Sequence, residues 1–209
     1  ADYRPLVPMA CRILAGACYA LLRPAFAARR PAALARRRAA GSVERILVAM
    51  GMGDPDDASG RVLDGIRRSG TAAAVDIVLG GRAPHLDAVR RRAAELPGPA
   101  RVLTDVADMA GLMTEADLAF GAGGTTSWER CCLGLPSLIL VVADNQDKIA
   151  AELAAAGAVL RLGRHPEMPA TAIAAALLSL DGPCRRAMAE TAAGICDGRG
   201  IEHVLEALS

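Results

Sequence analysis

The sequence contains few aromatic residues and almost no net charge. Phe, Trp and Tyr make up 2% of the 209 residues, whereas apolar residues of all kinds make up 53%. The core must therefore consist of aliphatic side chains, and this composition is typical of a globular domain. A net charge of +1 gives no reason to expect a nucleic-acid or membrane-surface partner. No apolar run approaches the roughly 18 residues that a membrane helix requires. The cysteines described next favour a reducing compartment, and we therefore predict a cytoplasmic protein.

The spacing of metal-binding cysteines and histidines is also missing. None of the six cysteines belongs to a CxxC pair, and His85, His165 and His203 lie far apart. Free thiols in a reducing compartment are the simplest interpretation of such cysteines. His85 follows a proline and opens a helical pattern, where we favour a structural role. We therefore predict no metal site and no cofactor.

From residue 45 onward, apolar strands alternate with helical segments of 10–12 residues. The predicted strands are residues 45–50, 75–79, 101–104, 116–120 and 137–142. This alternation predicts an α/β fold, namely a Rossmann-like three-layer domain with a parallel sheet covered by helices on both faces. Ligands of such sheets bind beyond the carboxyl ends of the strands, where two loops of this chain are rich in glycine.

Residues 1–40 have a different character. Four prolines interrupt them, five arginines cluster within 29–38, and a strand-like piece at 12–15 completes no βα unit. We therefore predict two parts, a connecting segment at 1–40 and a Rossmann-like domain at 41–209. The arginine cluster fits either a solvated helix or linker, or a rim that attracts anions.

The most informative segment is GAGGTTSWER, at residues 121–130. It follows an apolar strand and opens a helix, so that its glycines allow close approach of a ligand and the first helical turn presents free N–H groups to phosphate. The hydroxyls of residues 125–127 add donors, and Glu129 is placed to accept hydrogen bonds from a ribose. The alternative is an ordinary strand-to-helix turn that Thr125 or Thr126 caps.

Two further loops carry weaker signals. Gly51 and Gly53 follow the first strand and suggest a dinucleotide fingerprint, but Asp56 occupies the position of its third glycine. Asn145 and Gln146 follow the last predicted strand, where their amides would hydrogen-bond the hydroxyl or acetamido groups of a sugar. Helix capping explains an amide at that position equally well.

Taken with its neighbours, the segment resembles the UDP-sugar hydrolase of pseudaminic acid biosynthesis, which acts on UDP-2,4-diacetamido-2,4,6-trideoxy-β-L-altropyranose. The resemblance extends over most of the chain and is carried by residues 2–8, 19–24, 46–55, 84–86, 108–110, 121–136, 143–146 and 197–200. That family is similar to the lipid II-forming glycosyltransferases. The resemblance therefore implies the C-terminal half of a GT-B-like two-domain architecture.

The same resemblance implies roles for individual residues. They would bind the diphosphate (Gly51, Gly123, Gly124, Thr125, Thr126), the ribose (Glu129), the uracil (backbone around Val106) and the sugar (Asn145, Gln146). The implied ligands are a UDP-sugar substrate and the product UDP, bound without a metal. The turn after the first strand departs from the family pattern at Met52 and Gly53.

Catalysis by this family also implies a part that these residues do not supply. Water attacks the anomeric carbon with inversion and UDP departs through an oxocarbenium-like transition state. The histidine that activates the water belongs to the family's N-terminal domain, and we find no general base in this sequence. We therefore expect a fragment that binds UDP, hydrolyses little and needs the N-terminal domain as its partner. A glycosyltransferase half of similar architecture and a non-catalytic nucleotide-binding module remain alternatives.

Overall fold

The computed structural model describes residues 4–39 and 41–208. In this part of the chain there are six strands, β1 (Arg45–Ala49), β2 (Ala74–Leu79), β3 (Ala100–Thr104), β4 (Leu118–Gly121), β5 (Ser137–Val141) and β6 (Leu160–Arg164). The same residues form nine α-helices, α1 (Pro24–Ala39), α2 (Ala58–Ser69), α3 (Leu86–Ala94), α4 (Met109–Glu115), α5 (Thr126–Cys132), α6 (Asp147–Ala155), α7 (Ala170–Ser179), α8 (Gly182–Ile195) and α9 (Gly200–Leu208). Short 3-10 helices lie at Arg4–Leu6, Ala17–Tyr19 and Asp144–Gln146.

All six strands form one parallel sheet in the order β3-β2-β1-β4-β5-β6. The predicted α/β fold with a Rossmann-like parallel sheet is therefore confirmed. The strand order reverses between β1 and β4, which are hydrogen-bonded neighbours although two strands separate them in the sequence. A crevice opens at such a reversal, at the carboxyl ends of the strands, and in this fold it is the usual ligand site.

The sheet is buried on both faces, which explains why its central strands are apolar without alternation. Every residue of β5 is buried. One core cluster contains side chains of α1, α4, α5, α6 and α8, and the other contains side chains of α2, α3 and α7. These two clusters make the three layers that the sequence predicts.

The sequence predictions missed one strand and placed another wrongly. The strand β6 carries Arg161, Gly163 and Arg164, is only partly buried and lies at the edge of the sheet. An edge strand needs fewer apolar residues than a central one, so its sequence lacks the apolar run of a central strand. The piece at 12–15 is not a strand, because β3 and β6 form the edges of the sheet and neither pairs with it.

The helix α1 packs against the layer that contains α4, α5 and α8. Its Phe26 and Ala33 are completely buried in that core cluster. This helix belongs to the predicted connecting segment at 1–40 but packs into the core of the predicted domain at 41–209. The division at residue 40 stays a prediction. Residues 1–3, 40 and 209 lie outside the described residues, including the beginning of the stretch 2–8 that carried part of the resemblance.

Two arginines of the basic cluster bind the ends of neighbouring helices. Arg37 is buried and donates hydrogen bonds to the backbone carbonyls of Met113 and Ala116, at the C-terminal end of α4. Arg30 donates to the carbonyl of Cys132, at the end of α5. Helix C-termini favour cations, because their last carbonyls lack partners and carry partial negative charge. The cluster lies in a helix, as the first interpretation allows, but these two arginines bond backbone carbonyls and neither face solvent as a linker would nor form a rim for anions.

Acid should weaken the sheet through Asp76, which is buried on β2 opposite Arg101 of β3 and also bonds Arg45 of β1. Burial raises the pKa of Asp76, but the hydrogen bonds and charges of the two arginines outweigh burial and lower it from 3.8. A lowered folded-state pKa stabilises the fold above the ordinary value, and this stability is lost as the pH falls through the folded-state pKa. Urea midpoints measured between pH 7 and pH 2 should therefore fall less steeply in Asp76→Asn. Asp87→Asn, which removes an exposed carboxylate, is the control, and identical curves for Asp76→Asn and the wild type would contradict this assignment.

Candidate functional site

A cleft of about 370 Å³ opens at the carboxyl ends of β1 and β4, where the strand order reverses. This volume is within the range of small-molecule sites. Seven of the nine residues predicted to bind ligand line it, namely Gly51, Val106, Gly124, Thr125, Thr126, Glu129 and Gln146. The cleft therefore brings together residues from the loops after β1, β3, β4 and β5. Their individual roles remain predictions.

The glycines at the end of β4 and in the following loop differ in what the packing of the protein requires of them. A Cβ atom at Gly121 would lie 2.3 Å from the Arg130 guanidinium, and one at Gly123 would lie 3.0 Å from the backbone oxygen of Gln146. A Cβ atom at Gly124 would meet no atom of residues 4–39 or 41–208 within 4 Å, apart from those of its two chain neighbours. Internal packing therefore explains the first two glycines but not Gly124, which faces the open cleft. A glycine at such a position leaves room for a ligand to approach the backbone closely.

The first turn of α5 leaves N–H groups for such a ligand. Hydrogen bonding within this turn begins with Ser127 donating to the carbonyl of Gly124 and Trp128 donating to that of Thr125. The N–H groups of residues 124–126 come before these bonds, and no side chain caps the helix. Thr125 and Thr126 are exposed. The structure therefore does not support the alternative of a turn capped by a threonine.

The N-terminus of α2, the helix that follows β1, is already capped by a side chain of the protein. The buried carboxylate of Asp54 accepts hydrogen bonds from the N–H groups of Ala58 and Ser59, each at 2.9 Å, in the first turn of α2. A dinucleotide fingerprint places the pyrophosphate at this helix N-terminus. Since Asp54 already occupies it, the geometry argues against the fingerprint interpretation of Gly51 and Gly53.

Replacing Asp54 with alanine should lower the free energy of unfolding by about 2 kcal/mol. The substitution removes a helix cap at a buried position, and alanine tolerates the left-handed backbone of Asp54 (φ 39°) poorly. Urea denaturation measures this change. Asp56→Ala is the matched control, since its side chain is exposed in the same loop and its loss should change stability by less than about 0.5 kcal/mol. Equal effects of the two substitutions would contradict the capping role.

Glu129 contributes a largely desolvated carboxylate to the cleft. Its side chain is 17% exposed, and its nearest ion-pair contact is Arg23, whose Nη2 atom lies 4.0 Å from Glu129 Oε1. Burial raises the pKa of Glu129, and the attraction of Arg23 and Arg130 only partly offsets the effect. A desolvated carboxylate without a close partner is a strong acceptor for hydroxyl groups. Val106 lies in the loop between β3 and α4, half-buried against the core beside the same cleft.

The two residues predicted to contact the sugar differ in position. Gln146 lines the cleft, and its Oε1 atom accepts hydrogen bonds from the N–H groups of Gly123 and Val142, each at 3.2 Å. It thereby ties the loop after β4 to the loop after β5. Asn145 is exposed and does not line the cleft. Because its N–H group is bonded to Gln146, Gly123 does not offer that group to a phosphate in this structure.

Sequence reasoning missed two arginines at this site. Arg130 is 2% exposed and donates to the carbonyl of Ala122 at 2.7 Å, to Ser127 Oγ at 3.0 Å and to Thr126 Oγ1 at 3.2 Å. Burial lowers the pKa of Arg130 to about 10, so the side chain is charged at neutral pH. Arg23 lines the cleft from the segment before α1. A charged residue directly before the apolar run at 131–133 was the available signal for Arg130.

The three histidines form hydrogen bonds with backbone carbonyls of other segments and do not line the cleft. The Nε2 atoms of His85 and His165 lie 2.8 and 2.7 Å from the carbonyl oxygens of Pro55 and Asp56, in the loop between β1 and α2. The Nδ1 atom of His203 lies 2.9 Å from the carbonyl oxygen of Cys18. All six cysteines are free thiols. Within residues 4–39 and 41–208, no acidic, histidine and cysteine side chains cluster as metal ligands, and none of the helices has the length and apolar character to cross a membrane.

No protein-family model matches the chain. It is 32% identical, over 163 residues, to the spore coat polysaccharide biosynthesis protein SpsG of Bacillus subtilis. The aligned region covers 76% of this chain and 48% of SpsG, so the chain spans about half the length of this curated relative.

Solved structures share the fold. MurG of Acinetobacter baumannii superimposes with a TM-score of 0.69 at 18% identity, over 96% of this chain and 56% of MurG. The spinosyn rhamnosyltransferase SpnG, solved with thymidine diphosphate, gives a TM-score of 0.55 at 22% identity, over 82% of this chain and 47% of SpnG. At these identities the likeness establishes the fold alone. The chain thus has the Rossmann-like fold of one domain of the GT-B glycosyltransferases, matching about half of each longer chain.

Proposed function

We propose that the chain is a nucleotide-sugar-binding domain that holds the nucleoside diphosphate in the cleft between β1 and β4. One observation carries the proposal: Gly124 faces open space beside the uncapped first turn of α5. A helix N-terminus with exposed N–H groups favours phosphate, and a glycine there lets the phosphate reach them. SpnG, which shares the fold, was solved with thymidine diphosphate, and this supports the proposal.

The cleft suggests an orientation for UDP. The diphosphate would accept hydrogen bonds from the N–H groups and hydroxyls of Gly124, Thr125 and Thr126. The ribose hydroxyls would donate to Glu129, and the uracil would lie against the apolar wall near Val106. The sugar would then extend toward Gln146, with Asn145 at its outer side. All these residues except Asn145 line one cleft.

The reaction we propose is glycosyl transfer or hydrolysis with loss of UDP. In both, the bond between the anomeric carbon and the diphosphate breaks, and preorganised donors stabilise the charge that develops on the leaving group. Transfer to an acceptor has the wider support, because SpsG acts in spore coat polysaccharide biosynthesis and SpnG is a rhamnosyltransferase. Hydrolysis of UDP-2,4-diacetamido-2,4,6-trideoxy-β-L-altropyranose rests on the resemblance of residues 121–146.

Isothermal titration calorimetry with UDP, UMP and uridine tests the binding proposal. We expect the 209-residue chain to bind UDP at least tenfold more tightly than uridine, since charge-assisted hydrogen bonds to the diphosphate are worth about 1.5 kcal/mol or more each. UMP should be intermediate. Equal affinities for UDP and uridine would contradict a diphosphate site at α5.

Assays of UDP release separate the two reactions. The cleft of this chain is lined by one carboxylate, Glu129, and by no histidine. Because the proposal assigns Glu129 to the ribose, the 209-residue chain should release no UDP from the diacetamido-sugar nucleotide, with or without an acceptor. After addition of the N-terminal domain that the resemblance implies, release in water alone would favour the hydrolase, and acceptor-dependent release would favour the transferase. Turnover by the 209-residue chain alone would contradict the absence of a base.

A further inference from the structure

Arg130 is a buried cation at the positive end of a helix. The structure contains two other buried arginines among its described residues, Arg37 and Arg185. Arg37 bonds carbonyls at the C-terminal end of α4, and Arg185 bonds the carbonyl of Leu180 at the end of α7. Both therefore lie where the helix dipole stabilises a positive charge. The guanidinium of Arg130 instead folds back onto the first turn of α5, where the dipole opposes it.

The charge of Arg130 has no close counter-ion in the described part of the protein. Its three hydrogen-bond acceptors are a carbonyl and two hydroxyls, and no carboxylate of residues 4–39 and 41–208 forms an ion pair with it. Glu129 attracts it only at longer range. A buried charge that lacks a partner is costly to keep, so this arrangement is poorly explained by folding stability. An anion bound in the cleft above would complete it.

The hydrogen bond from Arg130 also determines how the Thr126 hydroxyl can bond a ligand. Thr126 Oγ1 accepts from Arg130 Nη1, and the threonine side chain is exposed at the cleft. A hydroxyl that accepts a charged hydrogen bond retains its own proton to donate, and cooperativity strengthens that donation. Gly121 makes the arrangement possible, because a Cβ atom there would lie 2.3 Å from the guanidinium.

We propose that Arg130 is a positioning residue for the diphosphate, which holds the loop at 122–127 in its anion-binding form and directs the Thr126 hydroxyl toward a phosphate oxygen. This inference rests on the proposed function and deepens it. Arg130 contributes through Thr126 and through its charge, because its side chain is buried beneath the loop.

The experiment compares the wild-type chain with Arg130→Met, Arg130→Lys and Thr126→Val, using inorganic pyrophosphate, UDP and uridine as probes in calorimetry. Arg130→Met should weaken the binding of pyrophosphate and of UDP at least tenfold and leave the Kd of uridine unchanged. A general loss of structure would instead weaken the binding of all three ligands. Arg130→Lys keeps the charge and should recover part of the loss. Arg37→Met is the matched control, which should lower the melting temperature without changing the affinity for UDP relative to uridine.

A double-mutant cycle keeps the test independent of how well Arg130→Met folds. Thr126→Val should weaken UDP binding several-fold in the wild-type background and much less in a protein that already carries Arg130→Lys. Thr126→Ser, which keeps the hydroxyl, should bind UDP like the wild type. Wild-type affinity for UDP and pyrophosphate in folded Arg130→Met and Arg130→Lys would overturn the inference but leave the proposed function intact. If pyrophosphate binding depends on Arg130 but UDP binds no more tightly than pyrophosphate, the result would support a role of Arg130 at an anion site and contradict the nucleotide site of the proposed function. A wild-type chain that binds neither anion would overturn both.

Discussion

Replacing Gly124 with valine should weaken UDP binding by about a hundredfold while the chain stays as stable as the wild type. Apart from its two neighbours in the chain, none of the residues that the structure describes has an atom within 4 Å of the position where a Cβ atom would be built, and the backbone of Gly124 is not left-handed. The added side chain would occupy the space of a phosphate. Loss of two charge-assisted hydrogen bonds, at roughly 1.5 kcal/mol each, corresponds to about this factor. Calorimetry with UDP and thermal unfolding together measure the two quantities.

Two other glycines provide controls for this substitution. Gly123→Ala adds a Cβ atom 3.0 Å from the Gln146 backbone and 3.3 Å from Ala150, so it should lower stability as well as affinity. Gly194→Ala lies in α8, away from the cleft, with open space around its Cβ position, and should leave UDP affinity unchanged. If Gly124→Val binds UDP normally, or unfolds as easily as Gly123→Ala, the reason given for Gly124 is wrong.

The central part of the fold was predictable because burial on both faces demands apolar strands. Residues 137–142 show this most clearly, since every residue of β5 is buried and none of its side chains has to face water. The edge strand β6 was not predictable in the same way, because Arg161 and Arg164 extend into ion pairs with Asp147 and Asp144. Such pairs depend on the neighbouring loop after β5, which a linear pattern does not contain.

The site was predictable as far as its ligand-facing groups are adjacent in the sequence. Glycines, hydroxyls and Glu129 follow one another within residues 121–130, and the structure places most of them at one cleft. The function of Arg130 was hidden, because its partners become neighbours only when the helix turn folds the chain back. The cap formed by Asp54 was hidden as well, since it requires a left-handed backbone at that residue to aim the carboxylate at two N–H groups.

The segment before residue 40 differs from the rest of the chain in its composition, although its helix packs against the same core. Its prolines and arginines favoured a connecting segment, with the arginine cluster as a solvated helix or linker or as a rim for anions, but Phe26 is completely buried in the cluster that also contains Met113 and Leu133. The carbonyls at a helix C-terminus stabilise the charge of an arginine that donates to them, and this allows α1 to pack against the core in spite of its basic sequence.

Phe26→Ala should therefore lower the free energy of unfolding by about 3–5 kcal/mol, the usual result of removing a fully buried aromatic side chain. Leu21→Ala is the matched control, since Leu21 precedes the same helix with 70% of its surface exposed and its loss should change stability by less than about 0.5 kcal/mol. Urea denaturation followed by circular dichroism measures both.

The form of the transition matters as much as its midpoint. A single cooperative transition that Phe26→Ala shifts to lower urea would mean that α1 unfolds together with the sheet. The same substitution should also weaken UDP binding. Arg23 lines the cleft, and its guanidinium carbon lies 5.4 Å from the Phe26 ring centroid, so loss of the ring removes a contact that holds Arg23 in place. A small effect equal to that of Leu21→Ala would instead mean that α1 is a separable connection, and that the division at residue 40 is a true domain boundary.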